Sequence, residues 1–281
     1  MLVVVALLAA GCGDDDPSVT SAQADDFVVV TALWPLAELA QEIGGDDVVV
    51  VNLTPVGESP HELDLTARQR DEVAAADLAI VVGGGFQRDV EGAAAAAGEV
   101  LSIVDDLALE AGHVWLDPTV MGSIATAIGE ALDTEGAAAR AEDLVEELVE
   151  LDARIAEVLA TCERDTIVTQ HDAFGPFAAR YGLTAVGLDA AMPDDDPAPD
   201  PALLDEVEGL IDDGAVTTLF TEPLQPPSWV EVLAEERGLD TVVLDPYEGL
   251  TIGDDARELH YEEAMLDNLR VLREALECSS T

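Results

Sequence analysis

Three of the four histidines in this chain fall where an open parallel α/β sheet places its binding residues, just beyond the carboxyl ends of predicted strands. His61 lies in the loop after the second strand, His113 follows the fourth, and His171 directly follows the first strand of the second half. Asp245 ends the last strand. Three neutral imidazoles and a carboxylate suit a borderline cation such as Zn²⁺ in roughly tetrahedral geometry. No His-x-x-His or Cys-x-x-Cys spacing links them, so only the fold can gather them. Asp172 reads either as the N-cap of a helix over Ala173 to Tyr181 or as an acceptor that orients an imidazole. Glu222 ends the third strand of the second half and is a candidate for the same orienting role. Glu58, Glu62 and His260 read as solvated residues.

The elements that would position these residues alternate strand and helix. Apolar strands are expected at Phe27 to Leu33, Val48 to Thr54, Leu78 to Val82 and Val100 to Val104. The alternation restarts with Thr166 to Thr169, Thr184 to Leu188, Ala215 to Thr221 and Thr241 to Leu244. Near-continuous apolar strands between helices indicate parallel sheets covered on both faces. Between the halves, Thr134 to Thr161 carries apolar residues at Ala137, Ala141, Leu144, Leu148, Leu151, Ile155 and Val158, a single helical stripe. Asp133 and Thr134 are its expected caps. The fold expected is α/β: two lobes, each a mainly parallel four-stranded sheet flanked by helices, joined by one long linking helix. Residues 26–133 form the first lobe, 134–161 the helix and 162–281 the second lobe. A single rigid connection predicts small lobe movements.

The chain is long enough for two such lobes, and 49% hydrophobic content supplies their cores. Sixty acidic residues against eleven basic ones, all arginine, give a formal charge of -49. Phosphate would be repelled, which excludes nucleic acid as a partner. So acidic a surface suits a high-salt medium, where screening shortens like-charge repulsion. Residues 1–11 read as a lipoprotein signal segment, with Cys12 as the lipidated residue and 12–25 as a polar tether. Cys162 and Cys278 then remain as a candidate disulfide in an exported protein.

The segments TALWPLAELAQEIGG, VNLTPVGESPHELDLT, GHVWLDP, TQHDAFGPFAARYGL, LFTEP and VVLDPYEG occur in this order around the long helix. As a set they resemble the zinc and manganese solute-binding proteins of ABC importers, the cluster A-I or ZnuA/TroA-like family. The resemblance spans about Phe27 to Leu276. It implies two lobes with the metal in the cleft between them, two ligands from each side: His61, His113, His171 and, from the LDP motif, Asp245. It also implies an ABC permease as membrane partner and an extracytoplasmic location. Members that take manganese tend to carry Glu where this chain has His171, which favours zinc. The His-rich acidic loop of many zinc-specific members is missing, which leaves Mn²⁺ open.

The expected protein is thus a monomeric, lipid-anchored carrier of Zn²⁺ and not an enzyme. A zinc hydrolase is the rival from another class, requiring a coordination position open to water. Surface adhesion, a role sometimes attributed to relatives, has no mark in these residues. The charge generates the first prediction: the melting temperature rises steeply between dilute buffer and about 1 M salt. An unchanged melting temperature would refute adaptation of this surface to salt.

Overall fold

In the computed structural model the described residues are 27–188, 199–225, 229–256 and 258–279. The signal segment, Cys12, the tether and most of the acidic loop after residue 188 lie outside them.

The first lobe runs β1 (Phe27–Thr31), α1 (Trp34–Gly44), β2 (Val48–Asn52), α2 (Ala67–Ala75), β3 (Leu78–Val81), α3 (Arg88–Ala94), β4 (Glu99–Ser102), α4 (Ile103–Asp106) and α5 (Pro118–Ala131). Its four strands form one parallel sheet in the order β2-β1-β3-β4. Neighbouring residues of β1 face opposite sides: Val29 enters one core and Val30 another. Both faces are covered, which is why the strand carries no polar alternation.

The linking helix α6 (Ala137–Leu159) follows, then β5 (Thr166–Thr169), α7 (Gly175–Tyr181), β6 (Thr184–Gly187), α8 (Pro201–Asp212), β7 (Thr218–Thr221), α9 (Trp229–Arg237), β8 (Asp240–Val243), α10 (Ile252–Ala256) and α11 (Tyr261–Ala275). In the second lobe the strands pair in parallel as two two-stranded sheets, β5-β6 and β7-β8, rather than as the one four-stranded sheet expected. β5 lies beside β7, so the pairs adjoin.

Several boundaries differ from the sequence reading for local reasons. α6 begins at Ala137 rather than Thr134, because Gly136 sits at φ 83 in the left-handed region and holds the N-cap position. Its last buried residue is Leu159 rather than Val158, since a 3.6-residue period drifts against alternating steps of four and three. α7 begins at Gly175 with Phe174 as N-cap, so Asp172 does not cap it; Pro176 belongs in a first turn and fixes the start. The last helix, expected from about Ala256, begins at Tyr261 as α11, because His260 before it is extended (φ -102°, ψ 154°).

α6 is fastened to both lobes. Arg140 donates from Nε to the Ile43 carbonyl (2.5 Å) and from Nη2 to that of Gly44 (2.9 Å), satisfying carbonyls at the end of α1. Further along, Asp152 accepts two bonds from Arg180 of α7 (2.9 and 2.5 Å) and one from the Tyr181 hydroxyl (3.1 Å). The apolar stripe of α6 lies in one core that also holds Val29 and Leu39 of the first lobe, Ile167 and Phe220 of the second, and Leu269 and Leu272 of α11. Just past α6, Cys162 is joined to Cys278 by a disulfide across 116 residues of chain. Replacing both cysteines by alanine is expected to lower unfolding free energy by about 4 to 5 kcal/mol on the loop-entropy account. Urea denaturation measures it, and a loss below about 1 kcal/mol would contradict that account.

Candidate metal centre

His61 sits in a short 3-10 turn, Pro60–Glu62, and its amide donates to the Ser59 hydroxyl at 3.4 Å. Buried Gln87 donates through Nε2 to the carbonyls of Ala32 (2.9 Å) and Pro60 (3.3 Å), tying this turn to the end of β1. His113 occupies the N-cap position of another 3-10 turn, Val114–Leu116, which runs into α5. Asp117 fixes that junction by accepting from the Thr119 amide at 2.8 Å. His171 turns away from the end of β5 beside Gly187 of β6. A Cβ on Gly187 would fall 2.4 Å from the Asp172 nitrogen and 2.6 Å from the His171 carbonyl carbon, so only glycine admits this approach.

These three imidazoles converge. The His113 and His171 Nε2 atoms are 3.0 Å apart, and the carboxylate of Glu248, in the loop after β8, lies against all three rings. Its Oε1 is 2.8 Å from His61 Nε2, 2.5 Å from His113 Nε2 and 3.2 Å from His171 Nε2. Each of the four side chains offers one donor atom, all within 4.8 Å of one another. Phe86 flanks His61 and His113, with ring centroids 4.6 and 5.5 Å away.

Asp245, expected as the fourth ligand, is not in this group. Its Oδ1 accepts from the Tyr247 amide at 2.7 Å, and Asn268 of α11 pairs with its main-chain amide (3.0 Å) and carbonyl (2.6 Å). The LDP motif directly follows β8, and the chain then reverses at Tyr247, which has φ 51, so the carboxylate that reaches the histidines comes three residues after Asp245. Glu248 was missed because strand-end position pointed to Asp245. Its signal was a second acid, between Tyr247 and Gly249, three residues after Asp245. Glu222 lies where an orienting acceptor was expected. Its Oε2 hydrogen-bonds His171 Nδ1 and its Oε1 accepts from the His171 amide at 3.0 Å. Asp172 is exposed, and His260 is on the surface with Nδ1 3.1 Å from Glu38.

The electrostatics divide the histidines. Burial lowers the pKa of His113 against the pull of Glu248, which favours the neutral ring. Burial also disfavours charge on His171, but hydrogen bonds to Glu222 and Glu248 prevail and raise it to about 10. Burial would raise Glu248 as well; hydrogen bonds from His113, His171 and His61 hold it well below the usual carboxylate range. Three imidazole nitrogens and one ionised oxygen can together surround a small divalent ion of borderline softness.

The sequence pattern of the family described as zinc-uptake complex component A, periplasmic, matches residues 29–275. The manganese-binding lipoprotein MntA of Halalkalibacterium halodurans is 28% identical over 258 residues, 85% of each chain. The zinc-binding lipoprotein AdcA of Streptococcus pneumoniae is 25% identical over 88% of this chain, which spans 55% of AdcA's length. The crystal structure of the Zn(II)-bound ZnuA-like domain of that species' AdcA matches with a TM-score of 0.74 and 26% identity, over 90% of this chain and 99% of the domain.

Asp245 generates a pH prediction. Burial, reinforced by Asp254 and Glu248, raises it from 3.8 to about 7. The native state then holds this proton at pH values where the unfolded chain has lost it. Stability from this group is therefore full below about pH 4 and is lost as pH rises through about 7. Asp245→Asn is expected to raise the urea midpoint of the metal-free protein above about pH 7, the gain vanishing below about pH 4. A variant less stable than wild type at alkaline pH would contradict the placement of this carboxyl.

Proposed function

Since the chain belongs to the zinc-uptake complex component A family, we propose that it captures Zn²⁺ outside the cytoplasm, through His61, His113, His171 and Glu248, and delivers it to an ABC import permease. The observation that carries this reading is the convergence of three Nε2 atoms on one buried carboxylate oxygen. Three nitrogen donors favour zinc over the harder Mn²⁺, which remains the second candidate because a relative is a manganese-binding lipoprotein. Four protein ligands complete a tetrahedral shell and leave no position for an attacking water, which speaks against a hydrolase. Relatives named as lipoproteins support membrane anchoring, for which Cys12 is the candidate residue.

Capture needs no bond-making beyond coordination. Glu222 holds the Nδ1 proton of His171, so the proton that an arriving ion displaces is the one on Nε2. His113 is already neutral and Glu248 already ionised. Acid and metal therefore compete at His171, and release is assisted by any state of the permease complex that withdraws this ring.

Elemental analysis is expected to find about one zinc per chain, with about one proton released per ion near neutral pH, read by calorimetry in buffers of different ionisation enthalpy. His171→Ala and Glu248→Gln should each weaken zinc by at least about a hundredfold, while Asp245→Asn binds within about tenfold of wild type. A wild-type protein holding neither zinc nor manganese stoichiometrically would overturn the function; tight binding by Glu248→Gln would overturn the ligand set.

A further inference from the structure

Glu248 lies in the second half of the chain, yet the loop that carries it is held largely by the first lobe. The Trp34 amide, at the start of α1, donates to the Glu248 carbonyl at 3.2 Å, and the Gly57 amide donates to that of Leu250 at 2.8 Å. The side-chain tie comes from Trp115, which is 1% exposed and whose Nε1 donates to the Pro246 carbonyl at 2.8 Å. Trp115 stands two residues after His113 on the same 3-10 turn, its ring 5.0 Å from the His113 imidazole. Its own carbonyl accepts from the Tyr261 hydroxyl at 2.6 Å. One side chain thus touches the turn that presents His113 and the loop that presents Glu248.

The loop needs such a hold. Tyr247, between Pro246 and Glu248, is buried with φ 51, a conformation that an L residue keeps only when its surroundings enforce it. On the second-lobe side Asn268 pins Asp245, before this reversal. Pro246, next to the reversal, and Glu248 and Leu250, beyond it, are each bonded to the first lobe.

We propose that Trp115 is a positioning residue for metal capture: by holding Pro246 it sets the Glu248 carboxylate against His61 and His113, so that three of the four ligands form one rigid unit with the first lobe. This rests on the ligand set given under Proposed function. His171, held by Glu222, is then the one ligand that the second lobe contributes as a separate body. The division of the site is three to one, not the two to two that chain order implies.

The test is a double-mutant cycle on the full chain, read by zinc competition titration. Trp115→Phe keeps an aromatic ring and removes the donor to Pro246. It is expected to weaken zinc about tenfold, the scale for groups that orient ligands, and the loss should vanish in a Glu248→Gln background but persist beside His171→Ala. Cobalt supplies the second reading: the visible bands of Co²⁺-loaded Trp115→Phe should shift toward those of Glu248→Gln. An equal loss in the Glu248→Gln background would show that Trp115 acts through general packing and would overturn the proposal. If Trp115→Phe does not melt cooperatively, Tyr261→Phe, which frees the Trp115 carbonyl, carries the same cycle with a loss of about threefold expected; additivity there overturns the proposal equally. Wild-type protein that binds no zinc would sink the site itself, whereas an additive cycle on a zinc-binding protein sinks only the role of Trp115.

Discussion

Glu248 is 3% exposed, and its charge is the constraint from which the rest of the molecule can be understood. An anion removed from water persists only where donors replace its hydration, and here three imidazoles do so. The same contacts require the histidines to arrive from three separate loops and stay there. Gln87, Ser59, Glu222 and the Asp117 cap all serve that requirement, each fixing a turn that presents one ring. A carboxylate and imidazoles that already neutralise one another form a centre with little reorganisation left to perform when a cation replaces the proton between them.

The scaffold answers the same demand at larger scale. A cleft between independent lobes could not keep four donor atoms within 4.8 Å without a stiff connection. α6 provides it by burying one stripe in a core shared by both lobes, with Arg140 fastened to α1 and Asp152 to α7. A hinge made of flexible strands would let the rings separate widely. A 23-residue helix with both ends anchored is a stiffer connection than that.

Much of this was legible in the sequence because it rests on period and loop position. The strands of both lobes, the stripe of α6 and the three cleft histidines all follow from apolar spacing and from the rule that ligands lie beyond strand ends. What was not legible depends on backbone reversals that no periodicity encodes. Asp245 has the right chemistry and the right strand end, but a residue at positive φ two places later turns the chain, so that Glu248 reaches the site and Asp245 is used up in the turn. Gly136 moved the start of α6 in the same way. The hold of Trp115 on Pro246 spans 131 residues, and only the folded chain brings the two together.

The charge of -49 raises a separate question, since so acidic a surface attracts every cation and so cannot itself select one. Selection has to occur where the surface field does not decide it. The centre is lined by Phe86 and Trp115 and offers three nitrogens and one oxygen, a donor set that suits hard ions such as Mg²⁺ or Ca²⁺ poorly and a borderline ion such as Zn²⁺ well. In concentrated salt the surface charges are screened within about 3 Å, and long-range attraction contributes little to capture. On the proposed ligand set, affinity then depends on four side chains and the groups that aim them rather than on sixty acidic residues.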